Sequence, residues 1–350
     1  MKLFSRNLVR SLEGENLLEI FFVTAVASVL AIRFFLALAG YPKLSPGNLH
    51  IAHVLLGGAL MMIALIIALG FINKPAYYLA ATLGGIGFGA FIDELGKFIT
   101  GDNNYFYQPT VALIYITFIL LYLGIQQLMH GSVLSEQEKL INALEIAKEV
   151  VMGDLDHRER KTALKLLREC QSANPVTRAL RELLYAADPV PVPRPDIYTR
   201  VKYHARKTYR RLLQKSWFIS AVIVFFLLQS FLPLLLLIFV IYAGLGGWTD
   251  LEAIFSYISF VDLAGLASAT LAAVFAVIGI FKIQSDRLVA YQFFKNAVLI
   301  QIFLLQVFLF YIAQLPAILG LAGDICVLLV LHYMIRQEAA SREANGNMSS

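Results

Sequence analysis

Eight runs of about 20 mostly apolar residues recur along this chain, near 17–39, 50–72, 76–99, 109–130, 216–243, 257–281, 290–313 and 315–335. A hydrocarbon layer about 30 Å thick needs about 20 helical residues to cross it. Backbone N–H and C=O groups inside lipid must be satisfied within their own segment, so each run predicts a membrane-crossing helix. The expected fold class is all-α: a polytopic helical membrane protein with about eight transmembrane helices. Composition agrees, because 59% of the 350 residues are hydrophobic and 15% are charged. A soluble domain holds about 45–50% apolar and about 25% charged residues, so this surplus has no soluble core large enough to hold it. The first run is too long for a signal-peptide core and lacks a small-residue cleavage site, which predicts a span.

The charges orient these runs. Seventeen of the 29 Lys and Arg fall in the polar stretch 131–215, between the fourth and fifth runs. Basic residues accumulate on the cytoplasmic side, so that stretch is expected inside. Four runs on either side then return both termini to the cytoplasm, in agreement with Lys2, Arg6 and Arg10 at one end and Arg336 and Arg342 at the other. The predicted organisation is a cytoplasmic N-terminal segment at 1–16 and four spans within 17–130. A cytoplasmic helical domain at 131–215 follows, then four spans within 216–335 and a disordered cytoplasmic tail at 336–350. Trp217 and Trp248 bracket the fifth run as interfacial anchors, and Pro233 predicts a kink within it. Cys170 lies in the polar stretch and Cys326 in an apolar run, which predicts no disulfide framework.

The polar insert reads as short helices. Ser135 with Glu138, and Asp156 with Glu159, have capping-box spacing. Asn174 before Pro175 fits an N-cap followed by proline at the first helical position. A basic helix near 196–215 leads into the fifth span. Its Arg206, Arg210 and Arg211 suit anionic phospholipid headgroups, at about 1 kcal/mol for each basic residue near the surface. The competing reading is ordinary positive-inside topology. No nucleic-acid reading motif is present. The lipid bilayer is the expected partner, and a homo-oligomer is compatible with the sequence.

Ionisable groups inside spans cost at least about 2.5–3.5 kcal/mol each, so they mark function or pairing. With the orientation above, Arg33, Asp93, Glu94, Asp262, Gln306 and Asp324 fall toward one outer level and form the candidate substrate- or ion-binding set. Asp324 is the deepest acid. Arg33 with Asp93 or Glu94 also reads as a buried ion pair that sets helix packing. His50 and His53 share a helix face and suit a divalent metal such as zinc with a nearby acid as third ligand. They suit interfacial histidines bonded to backbone equally. Gly85 and Gly89 form a G-x-x-x-G pattern, the mark of close helix packing. Neither G-x-S-x-G nor H-E-x-x-H occurs.

The segments Leu49–Gly58, Gly87–Phe98 and Gln306–Tyr311 resemble those of a family of bacterial multi-pass membrane proteins with no known activity. That resemblance implies a bacterial cytoplasmic (inner) membrane location. A looser analogy connects the His and Asp residues to intramembrane hydrolases of the alkaline ceramidase type, although their H-x-x-x-H element is missing here. Three functions follow from these readings: a transporter or channel-like protein for protons, ions or a small solute; a metal-dependent intramembrane hydrolase acting on lipid; and a non-catalytic sensor or scaffold.

Overall fold

The computed structural model describes residues 8–39, 53–101, 107–129, 134–171, 174–191, 197–213, 215–246 and 258–348. It is 85% helical, and the described residues contain no strand. In chain order the helices are α1 (Gly14–Leu38), α2 (His53–Gly70), α3 (Lys74–Asp93), α4 (Leu95–Ile99), α5 (Thr110–Met129), α6 (Glu136–Met152), α7 (His157–Arg168), α8 (Pro175–Ala186) and α9 (Ile197–Leu213). Then come α10 (Ser216–Leu245), α11 (Phe260–Lys282), α12 (Arg287–Ala313) and α13 (Ala317–Met348).

Among the described residues, seven helices are long and apolar enough to cross a membrane: α1, α2, α3, α5, α11, α12 and the Ala317–Ala340 part of α13. The chain is thus an all-α polytopic membrane protein. The eighth expected span coincides with α10, but the apolar stretch described within that helix, Ala221–Leu232, is shorter than a span. The kink expected at Pro233 rests on a side chain outside the described residues, as does Trp248, while Trp217 is exposed at the start of α10. The last helix continues to Met348, through the tail expected to be disordered. Arg342 on that extension pairs with Asp286 at 2.5 Å.

The chain divides into two compact units, one of residues 1–94 and 120–201 and the other of 95–119 and 202–350. In the first, α3 packs on both α1 and α2, and small residues let it come close. A Cβ on Gly57 of α2 would stand 2.6 Å from the Gly87 carbonyl oxygen, and one on Gly87 would stand 2.7 Å from that of Gly57. On the other face of α3, Gly85 and Gly89 lie against backbone carbonyls of Phe21 and Ala25. Lipid tails do not drive helices together as water does, so backbone-level packing of this kind is what holds spans in contact. Large apolar side chains such as Leu55, Leu65, Ile66 and Leu69 remain outside, as a lipid-facing surface requires.

The polar insert of this unit is a three-helix cluster. Its core is Ala143, Ala147, Leu155, Ala163, Leu166, Leu167, Leu180 and Leu184. Both capping boxes form, at Ser135–Glu138 and Asp156–Glu159, and Asn174 accepts from the Val176 N–H at 3.0 Å. The insert is tied to neighbouring elements of the same unit. Leu12 N–H donates to Asn142 Oδ1 and Asn142 Nδ2 donates to the Arg10 carbonyl, both at 2.8 Å. Arg10 pairs with Glu138 at 2.8 Å, and Lys74 pairs with Glu159.

The second unit is built around α10, α11, α12 and α13. Val222, Phe226, Ala276, Ala297, Val298, Val327, Val330 and Leu331 form its main core, with Leu213 of α9. Along α11, Gly265, Ser268, Ala269, Ala272, Ala273, Ala276 and Gly279 form a buried small-residue face. Helix α12 is interrupted by a π-helical turn, Gln301–Leu305, in which the Gln306 N–H donates to the Gln301 carbonyl.

Candidate functional site

Each unit carries its own buried polar group. In the first, Asp93 ends α3, Glu94 follows it, Arg33 projects from α1 and His53 starts α2. Arg33 Nε donates to Asp93 Oδ1 at 2.6 Å, and a second guanidinium nitrogen donates to the Asp93 carbonyl at 3.3 Å. That carbonyl is one of those an α-helix leaves unbonded at its C-terminus, so the guanidinium serves both the carboxylate and the helix end. Glu94 Oε1 accepts from the His53 backbone N–H at 3.0 Å and faces His53 Nδ1 at 3.1 Å. Glu94 thereby caps the N-terminus of α2, where a negative charge is favoured. Asp93 and Glu94 are fully buried, and Arg33 nearly so.

His50 lies outside the described residues. Among the described residues, no group of three or more His, Cys, Asp and Glu side chains is arranged to hold a metal. The metal set expected from His50 and His53 thus falls partly outside the described residues, and within them His53 meets the Glu94 carboxylate.

Asp262 was expected in the polar site, but its carboxylate is exposed. It sits at the third position of α11 and closes a capping box. Ser259 N–H and Ser259 O–H donate to Asp262 Oδ2 at 2.9 and 2.7 Å, and Asp262 N–H donates to Ser259 Oγ at 3.2 Å. The spacing S-x-x-D is the physical reason, because the first turn of a helix has N–H groups to satisfy.

In the second unit, Gln306 and Asp324 do meet. Gln306 Nε2 donates to Asp324 Oδ2 at 3.0 Å, with both side chains fully buried. The pairing follows from a helical hairpin: α12 ends at Ala313 and α13 begins at Ala317, so residues equally distant from the turn face each other. Gly320, one turn before Asp324, leaves room for the amide, since a Cβ there would lie 3.0 Å from Gln306 Nε2. The Gln229 side chain of α10 also approaches the Asp324 carboxylate. Next to it, Ser230 accepts from Gln301 Nε2 at 2.9 Å. Asp324 Oδ1, Gln306 Oε1, Gln301 Oε1 and Gln229 Oε1 are buried with no hydrogen-bond partner among the described residues.

Gln301 had escaped attention in the sequence. Residues five apart lie on different faces of an α-helix, so Gln301 and Gln306 did not read as one set. In a π-turn the bonds run i to i+5, and five residues make about one turn. The freed Ile302 carbonyl accepts from Tyr115 O–H at 2.7 Å. Two buried glutamines flanking an apolar run were the available signal.

Arg206 and Arg211 on α9 are exposed, whereas the Arg210 side chain lies outside the described residues. Helix α9 is anchored through Leu213 and through Tyr209 O–H, which donates to the Leu329 carbonyl at 2.7 Å.

Comparison of the chain with known protein families, with curated proteins and with solved structures finds no match.

Proposed function

We propose that this protein moves a proton, an ion or a small solute across the membrane, with Asp324 as the group that binds the moving charge. One observation carries this reading. Asp324 is fully buried in an apolar span, its described partners are neutral amides, and one carboxylate oxygen has no partner among the described residues. A carboxylate in that setting is costly unless something neutralises it, and intramembrane acids of this kind mark ion pathways. The π-turn beside Gln306 adds to the argument, since such turns concentrate at functional positions. The decisive measurement is flux into proteoliposomes. Asp324→Asn should remove it while the protein still folds, and unchanged flux in that variant would refute the reading.

A second reading applies to the first unit alone. Arg33, Asp93, Glu94 and His53 bond to helix ends as well as to each other, which favours a packing lock over a binding site. In that reading the charge-swapped pair Arg33→Asp with Asp93→Arg keeps both folding and flux.

The membrane in question is the bacterial cytoplasmic membrane, with both termini and the polar insert on the inner side. Reporter fusions at the insert and at the C-terminus test that orientation. The basic sequence of α9, with Arg206, Arg210 and Arg211, supports binding of anionic headgroups there. Stabilisation by phosphatidylglycerol over phosphatidylcholine should fall when all three become Gln.

A further inference from the structure

We propose that the polar cluster around Asp324 is a binding site for a dehydrated alkali-metal cation, sodium or potassium. This deepens the transport reading and rests on it for its physiological role, but the binding itself is a separate claim.

Three side chains of this group each carry a buried oxygen without a hydrogen-bond partner among the described residues. Asp324 Oδ1 belongs to the carboxylate, Gln306 Oε1 to the amide bonded to it, and Gln229 Oε1 to the amide that approaches it. Asp324 and Gln306 are completely buried. Each buried acceptor left unmade costs roughly 1–3 kcal/mol, so several together call for a common partner. A proton on Asp324 would neutralise the charge but leave both amide oxygens unanswered. A metal cation held among these side chains would neutralise the carboxylate and accept amide oxygens as ligands together.

The donor set also selects among cations. Every unpartnered atom is oxygen, which suits hard ions and not zinc or copper. The cluster holds one carboxylate, and the described partners of Asp324 include no Lys, Arg or His. A monovalent ion therefore leaves the site neutral, whereas a divalent ion would leave a net positive charge buried among apolar helices. Gly320 leaves room for the Gln306 amide beside the carboxylate, since a Cβ there would lie 3.0 Å from its nitrogen. Discontinuous helices at membrane depth supply oxygen ligands to coupling ions in the same physical way.

The test uses purified full-length protein, with radioactive sodium binding and thermal unfolding measured in NaCl, KCl and choline chloride at equal ionic strength. Wild type should bind about one ion and unfold at a higher temperature in one alkali salt than in choline, with saturation. Asp324→Asn and Gln306→Leu should lose that response, and Asp324→Glu should keep it at altered affinity. The Asn variant should unfold in every salt at or above the wild-type temperature in choline, which shows that it is folded. A wild-type response to pH alone, with none to sodium or potassium, would assign the site to protons and overturn the proposal. Equal unfolding in all three salts at all pH values would assign the oxygens to water and overturn it too. Cation binding without flux would defeat the transport reading and leave this one standing. Flux that persists in choline would do the reverse.

Discussion

Arg33 Nε lies 2.6 Å from Asp93 Oδ1 between two helices of the first unit, with Asp93 fully buried. Removing one member of such a pair leaves the other charge in an apolar setting, at a cost of about 3–5 kcal/mol. Arg33→Ala or Asp93→Ala alone should therefore lower the unfolding temperature sharply. Replacing both with apolar residues of similar volume, Arg33→Met with Asp93→Leu, should recover most of the loss. Thermal unfolding in detergent distinguishes the three variants. Equal losses in single and double variants would show that the pair is not the source.

The contact between α2 and α3 is backbone on backbone at Gly57 and Gly87. No atom of a flexible side chain is there to move aside, so Gly87→Ala should cost roughly 1–3 kcal/mol. Gly58, next in sequence to Gly57, has open space around its position, and Gly58→Ala should be neutral or slightly stabilising. Comparing the two alanine variants by unfolding temperature tests the packing and not helix propensity, which favours alanine at both sites.

Gln314, in the turn between α12 and α13, is the non-glycine residue with positive φ among the described residues, at 53°. With ψ at −130° it lies outside the left-handed helical well, in a sparsely populated region that strains a residue with a Cβ by about 1–3 kcal/mol. Gln314→Gly should stabilise the hairpin by about 1 kcal/mol, read as a higher unfolding temperature. A loss of stability would mean that the Gln314 side chain contributes more than its strain removes.

The Arg10 guanidinium holds the Glu138 carboxyl down at about 2, against an ordinary 4.5. The folded state thus favours the ionised form more than the unfolded chain does. The stabilisation from this contact is fully present above about pH 4.5 and is lost as pH falls toward 2. Glu138→Gln should flatten the acid limb of a stability–pH profile in that window, with little change in its slope above pH 5. An unchanged acid limb would contradict the pairing.

Much of the candidate site was legible from residue type. Arg33, Asp93, Glu94, Gln306 and Asp324 all stood out, because polar groups in apolar runs carry a large free-energy cost and need partners. Their partners were not legible. Asp262 looked like its neighbours in that list, yet the local S-x-x-D pattern uses it to cap α11. Gln301 looked like a lone amide because its relation to Gln306 depends on a π-turn, and a one-residue shift in helical phase leaves no mark in composition.

The sequence by itself determined the all-α class, because 20-residue apolar runs have one satisfactory backbone arrangement in lipid. It also determined the capping boxes of the insert, whose side chains bond within four residues of themselves. Only the tertiary structure decided that Asp324 meets Gln306 and not a basic residue, that His53 meets Glu94, and that Arg33 bonds to the end of α3. Those contacts join residues distant in sequence, such as Arg33 and Asp93, and depend on how closely glycine-lined helices approach. Hydrophobic length specifies that a helix crosses the bilayer. The packing of small residues sets which of its faces meets which neighbour, and so which polar groups are paired and which are left to bind something else.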